Sequence, residues 1–202
     1  MKLLTGLFLT FLVAATVSSD SSNTLMIGNS GEPATLDPHK YNLRLEETLL
    51  NDLFLGLTTF NADGEIVAGA AESWETSADG LTWRFFLRED LKWSDGKNLT
   101  AEDFVYSFRR LLNPQTAASL SYFLYMIKNA EQVNNAQKAV SSLGVYSDGP
   151  NILVIELDRP YPYLLERLLY PTGFPVPKHV IDSVGSDSVS YTHLTLPTKR
   201  IV

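Results

Sequence analysis

Three histidines are the first side chains to consider for acid–base or metal chemistry, and they lie at positions 39, 179 and 193. A catalytic relay or a two-histidine zinc site needs His39 and His179 to meet across the fold. Nothing in their spacing favours such a meeting. His39 lies in the sequence Asp37-Pro38-His39-Lys40, and we predict that it is a loop residue with local hydrogen bonds rather than a ligand contact.

The carboxylates form adjacent pairs that a helix start or a solvated turn explains: Glu46-Glu47, Glu89-Asp90 and Glu102-Asp103. A general acid and base need two carboxylates in different environments that face one cleft, and no such pair stands out. The sequence also has no phosphate-binding glycine loop and no serine nucleophile elbow. It has no cysteine, which removes thiol catalysis and thiolate metal sites. We therefore predict a protein that is not an enzyme and that carries no metal or cofactor.

Composition and charge restrict the partners. Hydrophobic residues make up 45% of the 202 residues, which is enough for a sizeable core. With 16 Lys and Arg against 23 Asp and Glu, the formal net charge is −7. A chain this acidic, without a basic cluster, is a poor candidate for binding nucleic acid or an anionic membrane surface.

The first 19 residues have the three parts of a secretory signal peptide: Lys2, an apolar run over residues 3–15, and small residues after it. The apolar run is about 13 residues long, shorter than the roughly 20 that a membrane-spanning helix needs. Cleavage after Ser18, Ser19 or Ala15 remains open. No cysteine follows the run, so a lipid anchor is not expected, and the predicted location is the periplasm.

Periodicity predicts the elements that would position any site. Helical spacing favours a helix over 45–55, a second helix capped by Thr100, and a less sharply bounded helical region over 117–138. The second helix has one apolar stripe, formed by Phe104, Val105, Phe108, Leu111 and Leu112. Strict alternation predicts a strand over 81–88.

Turn signals and prolines organise the remaining segments. A strand is predicted over 23–28, and residues 144–157 are predicted to form a β-hairpin around Gly149. A short leucine-rich helix follows Pro162. Three later prolines predict an extended crossing between domains: Pro171, Pro175 and Pro177.

Aromatic side chains can supply either a core or a flat ligand-binding surface. For Trp74, Trp83 and Trp93 we predict the core, because they lie in a strand or flank turns. The group Tyr122, Phe123 and Tyr125 lies in a region without a clear buried stripe, so both roles remain open there. Residues 190–202 contain no acidic side chain and resemble a translated adaptor sequence, so we predict that they are foreign to the fold.

Several blocks of sequence, taken together, are typical of one family. They are Leu36-Asp37-Pro38-His39-Lys40, Asp52-Leu53-Phe54-x-Gly56-Leu57, Ala71-Glu72-Ser73-Trp74, Trp83-x-Phe85-x-Leu87-Arg88-x-Asp90-x-Lys92-Trp93-Ser94-Asp95-Gly96, Thr100-Ala101-x-Asp103-Phe104-Val105-Tyr106-Ser107, Pro160-x-Pro162-Tyr163 and Pro175-Val176-Pro177-Lys178. Over residues 23–188 the chain resembles the bacterial periplasmic oligopeptide-binding proteins, the family 5 extracellular solute-binding proteins of ABC importers.

The resemblance implies a mixed α/β fold, a type II periplasmic-binding-protein clamshell, of which this chain would be the N-terminal fragment. After the signal peptide (1–19), residues 20–56 would begin domain I and residues 57–177 would form the small domain II. The chain would return to domain I over 178–189. Because family members are much longer, such a fragment is not expected to close on a peptide.

The resemblance also implies where a ligand would lie. In the family, the segment after Asp-Pro-His-Lys runs beside the bound peptide, which corresponds here to Tyr41, Asn42, Leu43 and Arg44; Tyr122 is a further ligand-binding candidate. Better-known members have an acidic residue at the Asn42 position and a small apolar one at the Arg44 position. Arg44 would either favour an acidic ligand or point to solvent.

The function implied is that of a monomeric receptor that captures oligopeptides and delivers them to an ABC permease and its ATPase. The same framework also hosts binders of dipeptides, murein peptides, nickel chelates and haem. From other classes, an exported peptide hydrolase and a chaperone-like or adhesive surface protein remain alternatives.

Overall fold

Gly28 and residues 31–185 are the part of the chain that the computed structural model describes. The predicted signal peptide, the tail at 190–202 and all but the last residue of the predicted strand over 23–28 lie outside it. No helix within the described residues is long and apolar enough to cross a membrane.

The centre of the fold is an antiparallel four-stranded sheet. Its strands are β3 (Ala71–Thr76), β4 (Thr82–Leu87), β5 (Val145–Ser147) and β6 (Ile152–Glu156), in the order β3-β4-β6-β5. In β4 the predicted alternation is confirmed, since Trp83, Phe85 and Leu87 are buried. The hairpin predicted over 144–157 is confirmed as the pair β5 and β6.

A separate two-stranded ribbon precedes this sheet. It consists of β1 (Thr58–Phe60) and β2 (Ile66–Ala68), which pair antiparallel. The sequence analysis did not predict β1, β2 or β3. Their side chains are largely half-buried or exposed, so they lack the apolar alternation that made β4 recognisable.

Two helices match their predictions closely. Helix α1 spans Arg44–Leu53, two residues short of the predicted end, and α2 spans Ala101–Leu112. The N-terminus of α2 has the expected cap, because Asp103 Oδ2 accepts the Thr100 amide at 2.8 Å. Its whole predicted apolar stripe is buried, and it packs against β5 and β6.

The predicted helical region over 117–138 is wrong. The chain instead forms short 3-10 helices at Pro114–Thr116 and Ser121–Leu124 and the five-residue helix α3 at Ala130–Asn134. Left-handed backbone at Ala117, Asn129 and Ala136 interrupts the path three times. The apolar residues Leu124, Ile127, Ala130 and Val133 are buried at a spacing of three, which tight turns satisfy as well as a helix does.

The C-terminal part returns to the start of the chain. The short helix α4 (Leu164–Arg167) is followed by a 3-10 turn at Pro171–Gly173 and by α5 (Lys178–Val184). The proline-rich segment is therefore not extended throughout. Beside the main core lies a smaller one formed by Tyr41, Leu50, Phe54, Phe174, Val176 and Ile181. The predicted domain boundaries remain a prediction.

The tryptophans lie where the core interpretation put them. Trp83 and Trp93 are buried in the main core, and Trp74 is half-buried and packs against it. These side chains are therefore structural.

Candidate functional site

The segment predicted to face a ligand lies on one wall of an open groove of about 330 Å³. Tyr41, Asn42, Leu43 and Arg44 all line it. The other lining residues come from the start of α1 and from across the fold: Glu47, Leu120, Phe123 and Tyr170. The structure thus brings these four candidates together on one surface.

Tyr122 lies next to this groove and not in it. It is 56% exposed and lines a neighbouring pocket of about 450 Å³. Phe123 lines both cavities. The ring of Phe123 is edge-on to Tyr122 at 4.9 Å and to Tyr170 at 5.2 Å, so three aromatic rings form a continuous edge-to-face row.

One carboxylate holds the backbone of the segment Tyr41–Arg44. Glu46 is 0% exposed, and its two oxygens accept four main-chain N–H groups. Oε2 accepts the amides of Asn42 and Leu43 at 3.0 and 3.1 Å, and Oε1 accepts those of Ala34 and Thr35 at 2.9 and 3.2 Å. A buried carboxylate is costly unless it is hydrogen-bonded in this way. Glu46 therefore joins two stretches of loop to the first turn of α1.

A buried ion pair holds the preceding loop. Arg110 of α2 donates to both oxygens of Asp37, at 3.0 and 2.5 Å, and their side chains are 8% and 2% exposed. This is the bidentate geometry in which guanidinium and carboxylate interact most strongly. The pair connects α2 to the loop that leads into the candidate site.

His39 completes this network. Arg110 Nη1 lies 2.8 Å from His39 Nδ1, and His39 Nε2 lies 3.2 Å from the Phe174 carbonyl oxygen. Arginine can only donate, so His39 Nδ1 accepts the hydrogen bond from Arg110. His39 Nε2 therefore carries the hydrogen and donates it in a hydrogen bond to the Phe174 carbonyl oxygen. His39 is thus a loop residue, as predicted, but its side-chain partners lie about 70 and 135 residues away. The predicted local hydrogen bond is present only at the backbone, where the His39 amide donates to Asp37 Oδ1 at 2.9 Å.

Burial and charge set the protonation of this network. Burial, reinforced by the charge of Arg110, lowers the pKa of His39 from 6.5 to about 4, so the imidazole is neutral. Burial alone would raise the pKa of Asp37, but the hydrogen bond and charge of Arg110 bring the net pKa below its ordinary value. Neither group is poised as an acid or base at neutral pH.

Two groove residues have polar groups that the described part of the chain leaves unpaired. Tyr41 is 3% exposed, and its hydroxyl has no hydrogen-bond partner among residues 31–185. Burial, followed by the charge of Glu47, raises the pKa of Tyr41. Glu47 is half-buried, and its carboxylate makes no hydrogen bond or ion pair within the same residues. The half-buried Glu47 carboxylate is accessible from the groove, whereas the Tyr41 hydroxyl is buried.

Within the described chain, the histidines and acidic side chains do not form the relay or metal site considered from the sequence. His179 pairs with Asp95 at 2.8 Å, whereas the His39 side chain contacts Arg110 and the Phe174 carbonyl. Within residues 31–185, no three histidine or acidic side chains are grouped so as to hold a metal ion.

Sequence reasoning missed the residues that support the site. Glu46 was explained by a helix start or a solvated turn. Arg110 was placed only near the end of its helix, and Tyr170 had no predicted role. Glu46 lies three residues after Leu43, the spacing of a capping box, which was the one available local signal. The link from Arg110 to Asp37 spans 73 residues and has no local signature.

Comparisons with known proteins agree with this architecture. Residues 65–194 match the model of the bacterial extracellular solute-binding proteins, family 5 Middle. The periplasmic oligopeptide-binding protein OppA of Haemophilus influenzae is 37% identical over 168 residues, which are 82% of this chain and 31% of that protein.

Solved structures give the same result. Haemophilus influenzae OppA in complex with RPPGFSPFR matches with a TM-score of 0.76 and 36% identity, over 78% of this chain and 31% of that one. The Escherichia coli murein tripeptide binding protein MppA matches with a TM-score of 0.73 and 39% identity, over 78% and 31%. The fold class is confirmed as the mixed α/β fold of periplasmic peptide-binding proteins.

The family model and the relatives together identify the family of this chain. The chain belongs to the bacterial extracellular solute-binding proteins, family 5. It spans about a third of the length of the curated relatives that it matches.

Proposed function

We propose that the full-length protein is a periplasmic receptor that binds oligopeptides and delivers them to the permease and ATPase of an ABC importer. The observation that carries this proposal is the groove along Tyr41–Arg44, on a fold shared with a relative solved in complex with a nine-residue peptide. The relatives are solute-binding proteins, which supports a non-catalytic role.

The segment that lines the groove has main-chain acceptors that the described chain does not use. Within residues 31–185, no group donates to the carbonyl oxygens of Tyr41 and Asn42. Main-chain hydrogen bonds to a peptide backbone are independent of its sequence, as in strand addition. Each is worth only about 1 kcal/mol net, so several are needed for useful affinity.

A murein peptide is the second candidate ligand, because MppA matches as well as OppA does. Titration calorimetry of the full-length protein with mixed tri- to pentapeptides, murein tripeptide, a nickel chelate and haem separates the candidates. We expect heat with peptides. Heat with the chelate or haem and none with any peptide would overturn the proposal.

The groove itself is tested by Phe123→Ala. We expect about a tenfold weaker peptide Kd, because the central ring of the aromatic row is lost. The matched control is Phe60→Ala, since Phe60 is 58% exposed on β1 and lines neither cavity. Equal affinities of the two variants would place the ligand elsewhere. Turnover of a bound peptide in a mass-spectrometric time course would instead support a hydrolase.

A further inference from the structure

The adjacent carboxylates Glu46 and Glu47 have different environments. Glu46 is buried and accepts four main-chain N–H groups, so it is fully used by the fold. Glu47 lines the groove, and within residues 31–185 its carboxylate has no hydrogen-bond or ion-pair partner. Glu47 also lies in the first turn of α1, where a negative charge favours the helix, but its carboxylate is left without a specific partner by the described chain.

We propose that Glu47 is a specificity-determining residue that makes the groove favour peptides with a cationic side chain, lysine or arginine, at the position that lies against the start of α1. This inference rests on the proposed peptide-binding function. It names the chemistry that the same groove selects.

The surroundings of Glu47 are those that bind cations. Tyr41, Phe123 and Tyr170 line the same groove as Glu47, so the groove combines one carboxylate with three aromatic residues. An ammonium or guanidinium is attracted both by a carboxylate and by the face of an aromatic ring. The pKa of Tyr41 is raised partly by the charge of Glu47, which supports their proximity. The ring of Phe123 already accepts one cation, because the Arg167 guanidinium lies 5.2 Å from its centroid.

Arg44 is the opposing charge on the groove. It is exposed, whereas Glu47 is half-buried. Water and salt screen an exposed charge more strongly than a half-buried one. The effect of Glu47 therefore outweighs that of Arg44, and the groove favours a cation. This is the opposite of the acidic-ligand preference considered for Arg44 from the sequence.

The test is calorimetry of the full-length protein with three sets of matched tripeptides. Each set places Lys, Gln or Glu at one of the three positions, with Ala elsewhere. We expect that at one position the Lys peptide binds about tenfold more tightly than the Gln peptide, the size expected for a cation beside a carboxylate and aromatic rings. The Glu peptide should bind more weakly than both.

Two variants identify the residue responsible. Glu47→Gln should reduce the Lys-to-Gln ratio at that position to near one, because the Lys peptide loses its partner carboxylate. Glu72→Gln removes the same charge from an exposed position on β3 that lines neither cavity, and should leave the ratio at its wild-type value.

The outcomes distinguish the role of Glu47 from the proposed peptide-binding function. Tight binding of Gln and Lys peptides with equal affinity at every position would overturn the role of Glu47 and leave peptide binding intact. A Lys preference that persists in Glu47→Gln would do the same. Absence of heat with all peptides would overturn the proposed function itself.

Discussion

The side chains that hold the loop before the candidate site in place do not line its groove. Arg110, Asp37 and His39 form a buried network that joins α2, the loop before the site and the carbonyl of Phe174. A buried pair of this kind adds little net stability over an apolar replacement, but loss of one partner leaves an uncompensated charge. The network therefore defines the position of the loop more than it raises the free energy of unfolding.

Substitution of Arg110 tests this view. In Arg110→Met the Asp37 carboxylate stays buried without its partner, and we expect the free energy of unfolding to fall by about 4 kcal/mol in urea denaturation. The control is Arg84→Met, which removes an exposed pair with Asp148 and should cost less than about 1 kcal/mol. Equal losses would show that the buried pair is no more important than a surface one.

His39 makes a pH-dependent contribution whose sign follows from its lowered pKa. The pKa of His39 is 6.5 in the unfolded chain and about 4 in the folded protein. Between these pH values the unfolded chain binds more protons, so lowering the pH favours unfolding. The contribution of His39 to the free energy of unfolding is complete above pH 6.5 and is lost as the pH falls towards 4. The total loss is roughly 3 kcal/mol.

We expect this slope to disappear in His39→Gln, a variant that keeps an acceptor and a donor at the site. The measurement is the difference in unfolding free energy between wild type and variant across that pH range. His179→Gln is the matched control, because His179 is partly exposed and pairs with Asp95 at the surface. A wild-type slope retained in His39→Gln would contradict the assignment.

Among the elements, the first turn of α1 both begins a helix and fixes a loop. Because the Glu46 carboxylate accepts amides at 34, 35, 42 and 43, its removal affects all of them at once. In Glu46→Ala we expect about 3 kcal/mol lower stability, since four main-chain N–H groups lose a buried carboxylate as their acceptor.

The local consequence of Glu46→Ala is measurable residue by residue. Hydrogen exchange at Ala34, Thr35, Asn42 and Leu43 should accelerate more than exchange in β4. Glu72→Ala, on the exposed face of β3, should change neither stability nor exchange appreciably. Uniform acceleration across the fold would mean that Glu46 acts globally and not on the loop.

Elements could be predicted from the sequence where one face is apolar. Helix α2 and strand β4 have clear periodicity and sharp ends, and both were placed within one or two residues. Strand β3 has mostly exposed side chains, so its position depends on pairing with β4 and not on its own pattern. The segment over 117–138 was misplaced because turns can bury residues at a spacing of three as a helix does.

The site was predictable only in part. The resemblance located Tyr41–Arg44, which line one groove, but Tyr170 reaches that groove across 126 or more residues of chain and carries no motif. Long-range contacts of this type arise from the assembled fold, which a local pattern does not contain. The assignment of these residues to ligand binding remains a prediction.

For the whole molecule, the chain spans about a third of the length of its curated relatives. Its groove is open on one side, and shallow contact on one side removes little of a peptide from water. We therefore expect the isolated chain to bind tri- to pentapeptides at least 100-fold more weakly than the full-length protein, equivalent to roughly 3 kcal/mol.

Calorimetry of both proteins with the same peptides measures this difference. A cooperative urea transition of the isolated chain is the control that shows it is folded. Equal affinities would mean that the groove described here is sufficient for binding.

The Glu46 carboxylate has a consequence for how this protein can diverge. It fixes the path of the loop through main-chain amides, and it does so from outside the segment Tyr41–Arg44 that lines the groove. The side chains at 42, 43 and 44 are exposed and take no part in holding that path. Under the proposed function, mutations there can alter which ligands are preferred without requiring the protein to refold, so a new ligand preference can arise by single substitutions on a constant frame.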